Sequence, residues 1–251
     1  MNVFIAGGTS GIGYSLARRY LDKGYHVGVC GRDLAKIPEN SGENFKIFQA
    51  DVCDIKILSE AITSFLSGGK NLDIFINCTG SYAEDVAGKI SYDEAEEMLQ
   101  TNIHGTVNCF EVARKAMKKQ KKGSIAVIAS VSGILEYENS SLYTKTKRSV
   151  LQIADAYHRA LKPFGISVTA IAPGYVDTEK LRQLNHHDLS KKPFLTDVET
   201  ASKIIEEAIQ NQEKQIIFPA KMKWMMKSLS LLPSSLLNII MFRKARWMKN
   251  D

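Results

Sequence analysis

Short apolar runs of strand length alternate with segments of helix length along most of this chain, and that alternation restricts the possible folds more than any other feature. Strands that are separated by helices form βαβ units, which pair in parallel and whose right-handed crossovers cover both faces of the sheet. The chain is therefore predicted to be an α/β protein with a doubly wound parallel sheet of about seven strands. Strands are predicted at 3–6, 25–30, 45–49, 72–76, 124–129, 166–171 and 215–218, and helices at 11–23, 55–65, 93–119, 142–161 and 197–210.

A glycine-rich turn, Gly7-Gly8-Thr9-Ser10-Gly11-Ile12-Gly13, joins the first predicted strand to the first predicted helix. Glycines permit a tight turn, and the first turn of the helix offers free N–H groups and the positive end of its dipole to a pyrophosphate. The position of the turn is typical of the Rossmann type of dinucleotide-binding fold, with an ordinary glycine turn as the alternative. The predicted cofactor contacts in this turn are Gly7, Thr9, Ser10, Gly11, Ile12 and Gly13.

The end of the second predicted strand indicates which dinucleotide the fold binds. In such folds an acidic residue at this place favours NAD, whereas an arginine accommodates the 2′-phosphate of NADP. The strand ends in Gly31-Arg32-Asp33, where Gly31 carries no carboxylate and Arg32 can bind a phosphate through two hydrogen bonds. Asp33 favours NAD if it faces the ribose, but we interpret it as the cap of the next helix. NADP(H) is therefore the predicted cofactor, with NAD as the alternative.

Tyr143 and Lys147 lie one helical turn apart near the start of the predicted helix 142–161, so their side chains share a face. A tyrosine hydroxyl normally titrates near pH ~10, and a neighbouring ammonium stabilises the phenolate. Lys147 is therefore predicted to lower the pKa of Tyr143, which can then exchange a proton with a substrate oxygen near neutral pH. A tyrosine and a lysine at this spacing are common by chance, so the interpretation depends on further residues.

Further polar residues lie where predicted strands end at one edge of the sheet. Ser130 follows the fifth strand, and its hydroxyl can donate a hydrogen bond to a substrate carbonyl as negative charge develops there. Ser132 is a nearby alternative for that role. The segment from Asn77 to Gly80 lies at the end of the fourth strand, at the same edge. Asn102 is a polar residue inside the predicted long helix, and it is either a hydrogen-bonded amide of the core or part of the site.

Together these motifs resemble the classical short-chain dehydrogenase/reductase family over about residues 1–220. The glycine turn matches the family motif, although Ala6 stands where the family usually has threonine. Residues 77–80 resemble the family's Asn-Asn-Ala-Gly, with the outer Asn77 and Gly80 kept and the two middle residues changed. The family's catalytic tetrad is matched in order and spacing by Asn102, Ser130, Tyr143 and Lys147.

The resemblance also implies the remaining cofactor contacts. Arg32 resembles the basic residue of NADP-dependent members, and Asp51-Val52 resembles the pair whose aspartate meets the adenine. The segment Pro173-Gly174-Tyr175-Val176-Asp177-Thr178 resembles the family's P-G-x-x-x-T loop, whose backbone and threonine contact the nicotinamide carboxamide. Beyond the glycine turn, the implied cofactor contacts are Arg32, Asp51, Val52, Asn77, Gly80, Tyr143, Lys147, Pro173, Gly174, Val176 and Thr178.

The activity that the resemblance implies is hydride transfer between NADP(H) and a carbonyl or secondary alcohol of a small molecule. Ser130 would hold the oxygen and Tyr143 would give the proton. Lys147 would lower the tyrosine pKa and fix the ribose, and Asn102 would hold a water that links Lys147 to solvent. A homodimer or homotetramer through the long helices is expected on the same ground. The alternatives are a catalytically idle NADP-binding regulatory protein and an isomerase or epimerase that uses the same tyrosine.

Basic charge is concentrated at the C-terminal end. Residues 221–251 contain seven Lys and Arg and one Asp, an excess that equals the net charge of +6 of the whole chain. The first 220 residues are therefore balanced and lack the excess of positive charge that nucleic-acid binding needs, so no nucleic-acid partner is predicted. No Pro/Gly-rich linker divides them, and we expect a single catalytic domain over 1–220 with a basic, amphipathic helical appendage over 221–251.

The appendage is also rich in apolar residues, flanked by Trp224 and Trp247. Its polar residues, among them Lys227 and Pro233, argue against a transmembrane span. The alternatives are that it packs on the body, covers the substrate cleft, meets a second subunit or lies on a membrane surface. A cover over the cleft would hint at a hydrophobic substrate. One helical stripe is predicted from Leu229, Leu232, Leu236, Ile239 and Ile240.

Four cysteines are spread along the chain without the spacing of a disulfide framework or a metal site, and the histidines form no ligand set. The N-terminus has no basic and apolar segment of the kind that directs secretion. The sequence therefore predicts no metal and a cytoplasmic protein with reduced thiols, with peripheral attachment to a membrane as an addition that the appendage allows.

Overall fold

A computed structural model describes residues 1–35, 42–85 and 90–247, without the side chains of 242–247. Its strands are β1 (Asn2–Ala6), β2 (His26–Gly31), β3 (Phe45–Gln49), β4 (Ile74–Asn77), β5 (Gly123–Ile128), β6 (Ile166–Pro173), β7 (Val176–Asp177), β8 (Thr196–Asp197) and β9 (Gln215–Phe218). Seven of them form one parallel sheet in the order β3-β2-β1-β4-β5-β6-β9, and β7 pairs with β8 beside it. The predicted α/β class and the doubly wound parallel sheet of seven strands are confirmed.

The strand order reverses direction between β1 and β4, which opens a crevice at the carboxyl ends of these strands. The helices on the two faces are α1 (Gly11–Asp22), α2 (Ile55–Phe65), α3 (Tyr92–Leu99), α4 (Gly105–Gln120), α5 (Leu142–Leu161), α6 (Glu179–Leu184), α7 (Val198–Gln210), α8 (Ala220–Ser230) and α9 (Ser234–Trp247). The glycine turn, residues 77–80, Ser130 and the 173–178 segment end or follow β1, β4, β5 and β6, so the crevice is where these parts of the predicted site converge.

Alternate residues of the strands point to two separate cores. Phe4 of β1 packs on one face with Phe110 of α4, whereas its neighbour Ile5 packs on the other face with Leu16 of α1 and Ile205 of α7. All of these side chains are almost completely buried. Strands that are covered on both faces have continuous apolar sequences, which is why the strands of this sheet could be predicted from the sequence.

The predicted helical stretch over 93–119 is helical along its whole length, but it is not α-helical throughout. A π-helical turn, Gln100–His104, separates α3 from α4 and contains Asn102. The Asn102 amide is held from outside the helix: Nδ2 donates to Ser81 O and Thr146 Oγ1, each at 3.0 Å, and Oδ1 accepts from Ser81 N at 2.9 Å. These bonds hold the side chain at a turn that departs from α geometry, as is common at functional sites.

The appendage packs on the body through α8 and α9. Met222 and Met226 of α8 and Leu237 of α9 are buried against Leu135, and Tyr175 also packs against this cluster. Asn238 Oδ1 accepts a hydrogen bond from the backbone N–H of Glu138 at 2.9 Å. None of the described helices combines the length and the apolar composition that a membrane crossing requires.

The predicted apolar stripe of the appendage is wrong. Leu237, which is not part of that stripe, is buried, while Leu236, Ile239 and Ile240 are exposed. The five residues of the stripe lie on two helices and the turn between them, because α8 ends before Pro233, whose ring and missing N–H oppose continuation. The two helices therefore bury different faces from the one that a single helix would bury.

A buried carboxylate joins α1 to α7. Glu206 of α7 is 1% exposed and accepts hydrogen bonds from Arg19 Nε at 2.9 Å and Nη2 at 2.8 Å, and it also pairs with Lys23. Burial by itself raises the pKa of Glu206, but the two cations outweigh burial and leave the pKa below its usual value. The same two helices are also linked by the hydroxyls of Ser15 and Ser202, 2.9 Å apart.

We expect Glu206→Gln to lower the free energy of unfolding by about 1–3 kcal/mol at neutral pH, since the partly exposed cations lose their partner. A carboxyl whose folded-state pKa is depressed stabilises the fold above its unfolded pKa, near ~4.3, and this contribution is lost as the pH falls through the folded value. The deficit of the variant should therefore shrink in acid. Urea unfolding across this pH range measures it, with Glu207→Gln on the exposed side of α7 as the matched control. Equal effects of the two variants would contradict the role of Glu206.

Candidate active site

The glycine turn lies at the carboxyl end of β1, beside the reversal of strand order. Gly7 and Gly11 have positive φ angles of 74° and 53°. A Cβ on Gly13 would lie 2.2 Å from Gly7 O, so no side chain fits there. The backbone N–H groups of Gly7 and Gly8 bond to Cys30 O at 2.9 and 3.3 Å, which ties the turn to β2. The result is a cradle at the N-terminus of α1 that a Cβ would fill and that a phosphate fits.

The remaining side chains of the turn differ in their environment. Thr9 is 8% exposed and lies against Gly31, where a Cβ would be 2.7 Å from Thr9 Cγ2. Ile12 packs into the core beneath α1, so only its backbone faces the cradle. Ser10 is exposed, and its side chain makes no capping bond to α1. Thr9 and Ile12 therefore support the cradle, and Ser10 is the side chain of the turn that is open to a ligand.

Arg32 and Asp51 flank the cradle at the ends of β2 and β3. Arg32 Nη1 is 3.1 Å from Glu97 Oε1, an ion pair in which both side chains are at least half exposed. Asp33 Oδ1 accepts from Ala35 N at 3.0 Å, and most of the segment in which we expected the next helix lies outside the described residues. Asp51 Oδ1 accepts from Cys53 N at 2.9 Å. An exposed ion pair is weak, so a phosphate can replace Glu97 on Arg32.

The end of β4 is built from hydrogen bonds of Asn77. Its Oδ1 accepts from Thr79 N at 2.9 Å and from Thr79 Oγ1 at 2.6 Å, and its Nδ2 donates to Thr106 Oγ1 at 3.3 Å. Val52, at the end of β3, packs against Gly105, where a Cβ would be 2.6 Å from Val52 Cγ2. These contacts hold the chain beyond β4 against α4, with the backbone of Cys78 and Thr79 next to Gly7.

Gly80 brings two of the predicted catalytic residues together. A Cβ on Gly80 would lie 3.0 Å from Lys147 Nζ and 3.4 Å from Asn102 Oδ1, so any larger residue would displace one of them. Lys147 is 5% exposed, and its Nζ donates to Ile128 O at 3.3 Å. The Lys180 ammonium donates to Gly80 O at 2.9 Å from the opposite side. Two cationic side chains thus approach the backbone of one glycine.

The Ser130 hydroxyl lies near enough to the Tyr143 hydroxyl to oppose the rise in the pKa of that phenol. The segment Val131–Gly133 packs against the first turns of α5, and a Cβ on Gly133 would lie 2.7 Å from Arg148 N. Ser130 Oγ also accepts from Ser132 N at 3.2 Å. The buried hydroxyl of Ser132 has no hydrogen-bond partner in the described part of the chain. Between the two candidate serines, the structure places Ser130 at the tyrosine.

The pKa values of Tyr143 and Lys147 differ from the sequence-based expectation. Burial raises the pKa of Tyr143 to about 12, against the opposing effect of the Ser130 hydrogen bond. Burial and the nearby Lys180 lower the pKa of Lys147 to about 8. The prediction that Lys147 lowers the pKa of Tyr143 is wrong for this structure, because Nζ is 5.8 Å from the ring centroid and burial dominates. Both groups are shifted towards their neutral forms.

Two tyrosines that the sequence reasoning did not assign to the site lie next to Tyr143. The ring of Tyr82 meets the Tyr143 ring edge-on at a centroid distance of 5.0 Å. Tyr175 is close enough that its charge would raise the pKa of both Tyr82 and Tyr143. Tyr175 stands inside the Pro173–Thr178 segment, and Tyr82 follows Gly80 by two residues, so proximity to those motifs was the available signal. An aromatic wall therefore adjoins the predicted proton donor.

The Pro173–Thr178 segment closes the crevice opposite the glycine turn. Gly174 N donates to Phe218 O at 2.8 Å, and the side chain of Val176 is buried in the core. Thr178 caps α6 by accepting from Leu181 N at 3.2 Å. Its Cγ2 is 3.5 Å from the place that a Cβ on Gly11 would take. The segment therefore lies next to the glycine cradle, which is necessary if both are to contact one dinucleotide.

An α/β crevice with a glycine cradle, a serine–tyrosine pair and a buried lysine defines a class of dinucleotide-dependent enzyme, and the comparisons identify it. Residues 1–189 match the family model described as short chain dehydrogenase. This chain belongs to the short-chain dehydrogenase family, whose members are oxidoreductases.

Individual relatives agree. An uncharacterized oxidoreductase of Staphylococcus aureus (strain MW2) is 30% identical over 191 residues, which are 74% of this chain and 83% of the relative. A 3-oxoacyl-[acyl-carrier-protein] reductase of S. aureus (strain N315) is 27% identical over 208 residues, 80% of this chain and 83% of the relative.

Solved structures share the fold. The structure of ElxO with NADP bound has a TM-score of 0.77 and 28% identity, covering 86% of this chain and 95% of its own. A short chain dehydrogenase of Burkholderia cenocepacia in complex with NADP has a TM-score of 0.80 with 18% identity, covering 94% of each chain. The second likeness concerns the fold alone.

We expect the Tyr143 phenol to stay protonated up to about pH 11, because burial holds its pKa at about 12. The ultraviolet difference spectrum between the parent chain and Tyr143→Phe isolates this ionisation. Tyr92→Phe, at a tyrosine that is 77% exposed, is the control for the loss of a tyrosine outside the site. A Tyr143 midpoint below ~10, restored upwards in Lys147→Met, would instead support acidification by the lysine.

Proposed function

We propose that this protein is an NADP(H)-dependent oxidoreductase that interconverts a carbonyl and a secondary alcohol of a small apolar molecule. The observation that carries the proposal is the placement of Ser130 beside Tyr143, with Lys147 one turn further along α5, at the sheet edge that also holds the glycine cradle. A proton donor and a cofactor cradle on one edge are what hydride transfer to a carbonyl requires.

The cofactor assignment is supported by the fit of the described residues. The cradle at α1 suits a pyrophosphate, and Arg32 is exposed beside it with only a surface ion pair to give up. The ElxO structure, in which NADP is bound, is one of the solved structures with the same fold. When bound, NADP(H) supplies or accepts the hydride. The residues that we propose to hold it are those of the glycine turn with Arg32, Asp51, Val52, Asn77, Gly80, Tyr143, Lys147, Pro173, Gly174, Val176 and Thr178.

The proton chemistry follows from burial. At neutral pH Tyr143 carries its proton, so it is ready to donate that proton to an oxygen that becomes an alkoxide, a stronger base than the phenolate left behind. Ser130 holds the same oxygen through its hydroxyl. Lys147, with its pKa lowered to about 8, can return a proton to Tyr143 near neutral pH. Asn102 positions the surrounding chain through Ser81 and Thr146 and is a positioning residue in this scheme.

The apolar character of the substrate is inferred from what surrounds Tyr143. Tyr82 and Tyr175 provide aromatic surface at the tyrosine, and Leu135 and Met222 continue it beneath α8. Lys180 and Lys192 are the nearby cations, the latter 5.3 Å from the Tyr175 ring centroid. Such a wall favours a carbonyl compound with an apolar body.

We further propose a cytoplasmic location, which four reduced thiols suit. All four cysteines lie in the described residues and are free, and burial raises the pKa of Cys30 and Cys78 to about 12. A homodimer or homotetramer through α4 and α5, the longest helices, is proposed from the family resemblance. The domain boundary at residue 220 falls at the start of α8, which supports treating 221–251 as an appendage to a catalytic body.

A screen of NADPH oxidation with ketones, aldehydes, quinones and lipid-like carbonyls tests the function. With the best substrate, we expect Tyr143→Phe to lower kcat by about 100- to 10,000-fold, because the proton donor is gone, while NADPH still binds. NADPH fluorescence measures the binding, and Tyr92→Phe is the control at an exposed tyrosine. Near-normal turnover of Tyr143→Phe would overturn the mechanism. Binding of NADPH without turnover of any carbonyl would favour the catalytically idle alternative.

The preference for NADP over NAD is expected to depend on Arg32. Arg32→Ala should raise the KM for NADPH by about 10- to 100-fold, which is the loss of one charge-assisted contact, and should change the KM for NADH little. Glu97→Gln is the matched control: it removes the ion pair of Arg32 but keeps the guanidinium, so the KM for NADPH should stay the same or fall. Equal losses for both cofactors in Arg32→Ala would contradict a 2′-phosphate contact.

A further inference from the structure

The outer sides of α8 and α9 expose large apolar side chains. Leu231 is 85% exposed, Trp224 64% and Ile239 53%. We use the name tail face for eight exposed residues of α8, α9 and the turn between them, which are Lys221, Lys223, Trp224, Lys227, Leu231, Leu236, Ile239 and Ile240. Such side chains are ordinary when scattered singly, but a group of them on one short segment marks an interaction surface.

The orientation of the tail face is fixed by what the two helices bury. Met222 and Met226 turn one side of α8 to the body, and Trp224 lies about half a turn away from both. In α9, buried Leu237 and the Asn238 bond to Glu138 hold the inner side, which leaves Ile239 and Ile240 outside. Both helices are anchored to the body, so the side chains of the tail face are exposed by the packing of these helices and not by fraying of the chain end.

The charge of the tail face is of one sign. Residues 221–241 contain three lysines and no acidic residue. Lys227 Nζ stands 5.1 Å from the Trp224 ring centroid, so the cation and the indole share one spot. Four further Lys and Arg follow in sequence before the single Asp251. Positive charge beside Trp, Leu and Ile matches an anionic bilayer interface, where lysines meet phosphate groups and the apolar side chains enter the headgroup boundary.

We propose that the tail face binds an anionic membrane surface. A second copy of this chain is the competing occupant, but a two-fold interface would set the same patch against itself. Each appendage carries an excess of six positive charges, and like charges disfavour that pairing. An anionic lipid surface has the opposite sign and needs no matching shape.

Docking by the tail face, together with the proposed function, also indicates where the substrate would come from. The inner side of α8 contacts Leu135 and Tyr175, and Tyr175 adjoins Tyr143. A protein docked by the tail face thus holds its aromatic wall close to the bilayer interface, where carbonyl compounds that partition into lipid are concentrated. The substrate class that this geometry favours is a membrane-dissolved ketone or aldehyde.

Sedimentation of the full-length protein with vesicles tests the docking without any turnover. We expect binding to phosphatidylcholine vesicles that contain phosphatidylglycerol, weaker binding to phosphatidylcholine alone, and release by salt. Reversing Lys221, Lys223 and Lys227 to Glu together should weaken binding by about 100-fold or more. The matched control reverses Lys56, Lys122 and Lys203, three exposed lysines of the body, and should bind like the parent.

Tryptophan fluorescence gives an independent readout of the same contact. The chain has two tryptophans, so Trp247→Phe leaves Trp224 as the reporter. Its emission should shift to the blue with anionic vesicles, since an exposed indole enters an apolar layer. No binding, equal loss in both lysine triples, or a tail-dependent dimer without vesicle binding would overturn the docking. NADPH oxidation of a water-soluble carbonyl by the Lys→Glu triple separates this outcome from failure of the proposed function.

Discussion

The contact between the backbone of Gly133 and the backbone of α5 is the constraint on which the candidate active site depends. A Cβ at Gly133 would come within 2.7 Å of Arg148 N and of Lys147 C, so only glycine permits the approach. The approach sets the segment after β5 against the start of α5, and Ser130 thereby reaches the Tyr143 hydroxyl. Without this close approach at Gly133, the hydroxyls of Ser130 and Tyr143, which belong to different elements, would not lie beside each other.

Burial then decides the protonation states at that position. A phenol and an ammonium, both withdrawn from water, shift towards their neutral forms, which moves their pKa values in opposite directions. In the proposed mechanism the phenol would keep its proton until the reaction creates an acceptor, and the ammonium would exchange protons near neutral pH. Burial would thus prepare a proton donor for the reducing direction more directly than a simple pairing of tyrosine with lysine would.

The sheet and the order of its elements could be predicted from the sequence, since strands buried on both faces leave continuous apolar runs and βαβ units have few arrangements. Spacing and resemblance also led to Ser130, Tyr143 and Lys147, which remain predictions as site residues. The π turn at Asn102 could not be predicted, because its bonds to Ser81 and Thr146 come from distant parts of the chain. The prediction of which side chains the appendage buries was wrong because the apolar stripe was taken across Pro233, between the end of α8 and the start of α9.

The Glu206 ion pairs join α1 to α7, and α1 is the helix whose first turn forms the glycine cradle. A helix fixed to its neighbour by a buried carboxylate does not need to be ordered when a ligand arrives. The entropy that a looser helix would lose on binding is already lost during folding. An anion bound at the cradle would therefore benefit from a carboxylate of α7 that pairs with the opposite end of α1 and never touches that anion.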